Sequence, residues 1–584
     1  MNAHVRCSGT EPGQRQLVGI QTTGREYRNL SEPQFAIVNK FSVPVPMRDG
    51  IKLRADIHRP HSPARFPALV ALSPYPRQMQ ALGIPAGFVE AGQSDFFVPR
   101  GYAHVIANSR GTCGSEGTYG FWDPDEATDL YDLIEWVAAQ PWCDGEVGMI
   151  GVSYFAMEQF RAALQKPPHL RAIFPFSGTT DIYRDIFWHG GMFAGRFASR
   201  FFAGIGMMSK RKDSFFRSRI IDLINKILLS PRVHARLAAP HPDTLKVFDL
   251  ALRFSYDTHP WDDIFRRFGV EHQLYDAFWE ARNVSPRIGD IDIPMYLGAD
   301  WENVCLHLDT PFAIFDDVNK SIPWRMSITP RGSLSWPWES LHVEALAWYD
   351  HWLKKRDTGI LDGPPIRYYV EGADEWRTAD TWPLPETQFT DWFLRADGSL
   401  SDGAGPDGAR DYLHLPKSLG LPRNANPPQL PGALAWDTAP FQRATDLIGP
   451  IKLALHAAST ASDVDWIVKL QLIDTDASAR DLTQGWLRAS RRALDPARSK
   501  PYRPVHPHDR VDPLTPGEPT WFEIAIIPTA QRFKPGQRLR LLLTSADEGL
   551  AMQGISHMTC GLAAKNRIFA DSRLMVPIVP NSAG

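Results

Sequence analysis

The chain has 584 residues, 43% of them hydrophobic and 22% charged, with a formal net charge of −3 at pH 7. That length exceeds what one hydrophobic core organises, so two or three domains are expected, and the balanced charge excludes the concentrated basic face of a nucleic-acid partner. The five cysteines form no CxxC pair, the N-terminus lacks an apolar h-region, and no apolar run reaches the ~18 residues of a membrane span, so a cytoplasmic protein without a membrane partner is expected.

Residues 1–35 are polar and weakly patterned and read as an N-terminal extension. Alternating apolar residues around Arg48-Asp49-Gly50 predict a β-hairpin with a DG turn. FPALVALSPYP and YAHVIANSRG are short apolar runs ending in turn residues, the pattern of buried parallel strands. Between Asp123 and Gln140, Ala127, Leu130, Leu133, Ile134 and Val137 recur at helical spacing behind an acidic first turn. EVGMIGVSYFAMEQFRAAL then predicts a strand, a sharp turn and a helix. Strands alternating with helices imply a doubly wound parallel sheet over 36–180. Residues 181–283 lose strand character: FFRSRIIDLINKILLS, HPDTLKVFDLALRFSY and WDDIFRRF are amphipathic and predict a helical cap. Sheet character returns over 284–364 with DIPMYLGADW and WRMSITPRG, and LHVEALAWYDHWLKK closes that unit. From 365 to 584, PIRYYVEG and a series of further strand-like segments predict a separate β-sandwich of the jelly-roll kind.

The strongest chemical signal is Gly151-Val152-Ser153-Tyr154, directly after an apolar run and before a helix. A serine on a strand-to-helix turn projects its oxygen above the sheet, where the helix N-terminus favours developing negative charge. A nucleophilic serine needs a base held by a third group, in the order serine, acid, histidine for an α/β-hydrolase. GADWENV supplies Asp300 and Glu302 as acids. Downstream of these acids, the histidines before the β-rich part are His307, His342 and His351. His342 follows the turn SWPWES and opens a helix, as a loop-borne base would, whereas His351 reads as structural. HPHD at 506–509 lacks partner ligands, and no metal or other cofactor is expected.

MRDGIKLRADIHRP, SPYPR, SRGTCGSEG, DLIEWVAAQPWCDGEVGMIGVSYFAMEQ, YDHWLK, EWRTADTWPLP and FKPGQRLRLLLTS stand in order along the chain. On these segments it resembles the cocaine esterase and X-prolyl dipeptidyl peptidase family, which includes α-amino-acid ester hydrolases, over roughly residues 36 to 580. The resemblance implies an α/β-hydrolase domain, a helical cap and a C-terminal jelly-roll domain. It places Ser153 in the family's G-x-S-Y-x-G, with Ala156 at the final small position. It assigns the oxyanion donors to the Tyr75 hydroxyl and the Tyr154 amide. Matching the tryptophan of the family's G-x-W-D favours Glu302 over Asp300 as the acid. The family's G-P-W-x-H has no histidine here, the strand reading ITPRGSL, so His342 is expected to take over from the neighbouring loop. Trp188 and His189 stand where the cap begins and are candidates for the substrate pocket, and Arg110 for hydrogen bonds below the site.

These readings converge on a serine hydrolase that cleaves a small-molecule ester or amide through an acyl-enzyme on Ser153. Its rivals are an acyltransferase using the same intermediate, an X-Pro peptidase, and an inactive binding protein on the same scaffold. A homodimer through the β-rich domain is a further expectation.

Overall fold

The hairpin around Asp49-Gly50 forms as its turn residues direct. Strands β1 (Ile37–Pro46) and β2 (Lys52–Pro60) pair antiparallel with Pro46 opposite Lys52, and Gly50 in the turn has φ +91°. The computed structural model describes residues 25–80, 90–209, 223, 261–332, 341–416, 432–547, 552 and 555–580. Beyond the hairpin come β3 (Phe66–Ser73), β4 (Ala103–Asn108), β5 (Cys143–Met149) and β6 (Leu170–Ile173), then the short pair β7 (Trp188–His189) and β8 (Met192–Phe193). Next are β9 (Met295–Asp300), β10 (Trp324–Thr329), β11 (Ile366–Val370) and β12 (Glu375–Ala379). One ten-stranded sheet runs in the order β1-β2-β4-β3-β5-β6-β9-β10-β11-β12. From β4 to β11 its neighbours are parallel, and the ends are antiparallel.

The parallel strands are apolar on both faces because both faces are covered. Along β3, Ala68, Val70 and Leu72 join one core and Leu69 and Ala71 the other, which is the period-2 alternation of a strand. The first core takes Leu130, Leu133, Ile134 and Val137 of the predicted helix (Pro124–Ala138), and the second takes Ala345, Leu346, Trp348 and Tyr349 of the closing helix (His342–Trp352). We number the helices α1 (Ser94–Phe97), α2 (Pro124–Ala138), α3 (Tyr154–Gln165), α4 (Gly195–Ser209), α5 (Trp261–Arg266), α6 (Ala277–Glu280), α7 (Asp309–Ala313) and α8 (His342–Trp352). Asp123 caps α2 by accepting the Glu126 amide at 3.1 Å, with Pro124 in the first turn. Such a cap contributes about 1 kcal/mol. Arg110 is bound by Asp129, at 2.6 and 2.8 Å, and serves the structural role expected of it.

In the cap region, α4, α5 and α6 are helical. The expected helices FFRSRIIDLINKILLS and HPDTLKVFDLALRFSY lie, but for residue 223, outside the described residues. Of the N-terminal extension, residues 25–35 run along the first unit: the Arg28 amide donates to the Thr358 carbonyl at 3.1 Å and the Ser31 hydroxyl to Asp350 at 2.6 Å.

The expected boundary between 364 and 365 needs correction. PIRYYVEG forms β11, which pairs in parallel with β10 (Met326 opposite Ile366), so the first sheet continues to Ala379. Composition marks the segment as a strand but not which sheet it joins. The second unit is built from antiparallel strands β13 (Gln388–Leu394) through β23 (Arg573–Val579), around a core containing Trp436, Trp466, Leu541 and Leu574. The two units meet where the Glu371 amide donates to the Ala530 carbonyl at 3.0 Å and the Arg532 amide to the Glu371 carbonyl at 2.7 Å.

Candidate active site

Parallel strands present their C-terminal ends on one edge of the sheet, where an open α/β fold binds ligands. Ser153 stands at the end of β5, between Val152 and the first residue of α3, with φ +56° and ψ −123°. A serine in this region costs on the order of 1–3 kcal/mol and persists only where its surroundings impose it. Here the Ser153 amide donates to the Ser177 carbonyl at 3.0 Å, and the Ser153 carbonyl accepts the Met157 amide at 3.0 Å. The Val152 amide donates to the Glu90 carbonyl, also at 3.0 Å. Gly151 completes the corner at φ +124°, where a Cβ would lie 2.4 Å from that of Phe155. A small residue is needed one position later: a Cβ on Gly178 would already stand 3.0 Å from that of Ala156. The corner therefore takes Phe155 followed by Ala156 without distortion.

Tyr75 follows β3, the neighbour of β5. Its amide donates to the Ser73 hydroxyl at 3.1 Å and its carbonyl accepts Asn108 Nδ2 at 2.6 Å. Its ring packs edge-on against Tyr154 and Phe155, with centroids 5.9 and 6.0 Å apart. Burial, reinforced by the nearby Glu90, pushes the phenol well above its usual range, so it remains a donor. The Tyr154 side chain is committed elsewhere: its hydroxyl accepts from Tyr119 at 2.8 Å and donates to Glu126 at 3.0 Å. What Tyr154 offers the site is its amide, among the first N–H groups of α3 that lack an intrahelical acceptor.

The imidazole within reach of the serine is that of His307, with Nε2 3.2 Å from Ser153 Oγ. It lies on the loop between β9 and α7, and burial pushes it down to about 3, so the ring is neutral and able to accept a proton. Asp300, at the end of β9, shapes that loop. Its Oδ1 accepts the amides of Glu302 at 3.0 Å and Asn303 at 2.8 Å, and the Asn303 carbonyl accepts the amides of His307 and Leu308 at 3.2 and 3.0 Å. Burial, with the charge of Glu302 adding to it, pushes Asp300 up to about 7. His307 Nδ1 has no hydrogen-bond partner among the described residues. Neither Asp300 nor Glu302 is hydrogen-bonded to that nitrogen, the bond by which the acid of a triad holds its histidine.

His342, the base expected from sequence, is elsewhere. Fully buried at the start of α8, its ring stacks on Phe96 with centroids 4.9 Å apart and meets Phe97 edge-on at 5.7 Å. The α8 helix lays its first turn against α1, so its opening residue packs in the core; SWPWES before it lies outside the described residues. Trp188 and His189 are likewise engaged in packing. Trp188 Nε1 donates to the Phe268 carbonyl at 2.9 Å. His189 stacks on Trp486, lies 2.8 Å from His557 Nε2 through Nδ1, and reaches the Asp185 carbonyl through Nε2. With Asp185 it borders a cavity of about 150 Å³ between the two units. Both ring nitrogens of His506, from HPHD, contact backbone carbonyls at 2.9 Å.

Two participants escaped the sequence reading. His307, the first of the three histidines weighed, stands seven residues past Asp300 on one strand-end loop, and that proximity was the available signal. Glu90, in FVEAGQSD, is tied to the serine's turn through its backbone, its carbonyl accepting the Val152 amide at 3.0 Å, and burial pushes its carboxyl well above the ordinary carboxylate range. No local motif marks it.

A hydroxyl at a strand–helix corner, a neutral imidazole to take its proton and a phenol donor beside it are together suited to acyl transfer. The sequence profile described as X-Pro dipeptidyl-peptidase (S15 family) matches residues 49–331, and that of the X-Pro dipeptidyl-peptidase C-terminal non-catalytic domain matches 358–562. The cocaine esterase of Rhodococcus sp. (strain MB1 Bresler) is 28% identical over 552 residues, covering 87% of this chain and 90% of that protein. A crystal structure of a CocE/NonD family hydrolase from Staphylococcus aureus superposes with a TM-score of 0.73 at 24% identity, covering 93% of this chain and 94% of that one. An α-amino acid ester hydrolase does so with a TM-score of 0.69 at 19% identity, covering 97% and 100%; both likenesses speak to the fold. With its two units matched in order by the two profiles, the chain belongs to the X-Pro dipeptidyl-peptidase (S15) family and is a serine hydrolase.

Proposed function

We propose that the chain hydrolyses carboxylic esters of small molecules through an acyl-enzyme on Ser153, with His307 as the base. The observation that carries this reading is the 3.2 Å approach of His307 Nε2 to an Oγ held at a left-handed strand–helix corner. As Oγ attacks the carbonyl carbon, its proton passes to Nε2, and the carbonyl oxygen takes negative charge opposite the Tyr75 hydroxyl and the Tyr154 amide. Each such preorganised donor lowers the barrier by about 3 kcal/mol. Loss of the alcohol leaves the acyl group on Ser153, and water releases it. The steps use only the chain's own residues and water. The ester preference rests on the cocaine esterase relative, which matches along nearly its whole length. The thiols of Cys113, Cys143 and Cys305 are buried and suit a reducing, cytoplasmic setting.

A fluorophosphonate probe tests the reading. The expected result is one label per chain on Ser153, absent in Ser153→Ala and strongly slowed in His307→Gln. An intact protein that takes no label and turns over no ester refutes it.

A further inference from the structure

A base must be held against the hydroxyl it deprotonates, and in a triad the acid does this through the far ring nitrogen. His307 Nδ1 has no hydrogen-bond partner among the described residues, so the loop that carries the ring has to place it. That loop is anchored on both sides of His307 by the second unit. Two residues before the ring, Cys305 Sγ donates to the Met552 carbonyl at 3.5 Å. Two residues after it, Arg503 Nη2 donates to Asp309 Oδ2 at 2.7 Å, and Arg503 Nη1 donates to the Ala313 carbonyl at 3.2 Å. One guanidinium thus spans α7 from its first residue to its last. The Arg503 and Asp309 side chains are 25% and 21% exposed, so solvent screens this pair less than one on the open surface. Arg503 itself is fixed in a closed turn, its amide donating to the Lys500 carbonyl at 3.0 Å and its carbonyl accepting the Lys500 amide at 2.9 Å. Lys500 pairs in turn with Asp316, beyond the end of α7.

We infer that Arg503 is a positioning residue for catalysis: through Asp309 and α7, the second unit sets the approach of His307 Nε2 to Ser153 Oγ. The inference rests on the reading of His307 as the base. Proton transfer tolerates little displacement, and a base misplaced by about 1 Å costs up to about 10²-fold in rate. The 3.2 Å between Nε2 and Oγ is spanned by two side chains from different strand-end segments, so movement of α7 is passed directly to it. An arginine suits this place because its planar fork fixes direction as well as charge, bonding a carboxylate and a carbonyl at once. The first unit keeps its own hold on the loop. Thr310 donates to the Asp185 carboxyl at 2.9 Å, and the Asn303 carbonyl accepts the His307 amide at 3.2 Å. Loss of Arg503 therefore loosens the base without unfolding the segment around it.

Arg503→Met keeps most of the length of the side chain and removes its bonds. On p-nitrophenyl butyrate, kcat and the rate of fluorophosphonate labelling of Ser153 should fall together by about 10- to 10²-fold, with KM within about twofold of wild type. Arg503→Lys keeps the charge without the fork and should recover part of the loss. Asp309→Asn breaks the same pair from the other side and should show the same division between kcat and KM. The decisive comparison places Arg503→Met in the His307→Gln background. A residue that acts through the base has nothing left to act on there, so the double variant should stay within about twofold of His307→Gln alone. Losses that multiply in the double variant, or single variants with wild-type kcat, overturn the positioning role, while a slow His307→Gln leaves the base standing. If His307→Gln itself turns over at the wild-type rate, the base is wrong and the positioning role falls with it.

Discussion

Exchanging the fates of two histidines tests the site most directly. His307 is 4% exposed, its Nε2 faces Ser153 and its Nδ1 makes no hydrogen bond to lose. His307→Gln should therefore lower kcat/KM by about 10²–10⁴ through loss of the base, while unfolding free energy changes by no more than about 1 kcal/mol. His342 is 0% exposed and lies face-to-face on Phe96. Truncating it to alanine leaves a cavity beneath α8 and should cost about 3 kcal/mol of stability, with kcat/KM within about threefold of wild type because the ring touches no reacting group. Hydrolysis of p-nitrophenyl butyrate reads the first quantity, and urea denaturation followed by tryptophan fluorescence reads the second. If His342→Ala abolishes turnover in a protein of wild-type stability, or His307→Gln keeps full turnover, the assignment of the base is wrong.

Tyr75→Phe removes one oxyanion donor without emptying its pocket and should reduce kcat about 10²- to 10³-fold with little change in KM, measured by steady-state kinetics on an ester. Because burial lowers His307 from 6.5 to about 3, its neutral form persists in acid, and the acid limb of kcat/KM should lie below about pH 4 rather than near 6.5. The same shift has a sign for stability: the unfolded chain takes the proton below 6.5 and the folded chain only near 3, so this imidazole subtracts stability as pH falls through that window. His307→Gln should thus gain stability relative to wild type between pH 7 and pH 4, as compared in urea titrations. A Cβ on Gly298, in β9, would stand 2.0 Å from the Phe176 ring. Gly298→Ala should cost about 1–3 kcal/mol, recovered in part by Phe176→Leu, as thermal melts of the single and double variants would show.

The corner at Ser153 was legible because its signal is local. Strand, glycine, serine and helix stand within one short segment, and Gly151 and Ala156 are small for contacts made inside that segment or with the next strand. Tyr75 was legible through its family segment, on a turn pinned by Ser73 and Asn108. The base was not. His307 and His342 differ in sequence only by the elements that precede them, and which one meets Ser153 depends on the loop that Asp300 folds after β9 and on how α8 meets Phe96 and Phe97. Glu90 was invisible for the same reason, since its place beside Ser153 comes from backbone bonds between residues far apart in the chain.

By itself the sequence determined the alternation of strands and helices, the cores on both faces of the parallel sheet, the strand-to-helix serine and the presence of a second, antiparallel unit. All of these follow from residue periodicity and turn chemistry, which act over a few neighbours. Tertiary structure decided which sheet β11 joins and which imidazole reaches the nucleophile. Those outcomes turn on contacts between segments brought together only by packing of the whole sheet and its helices, and neither strand register nor loop direction is encoded in any single stretch of residues.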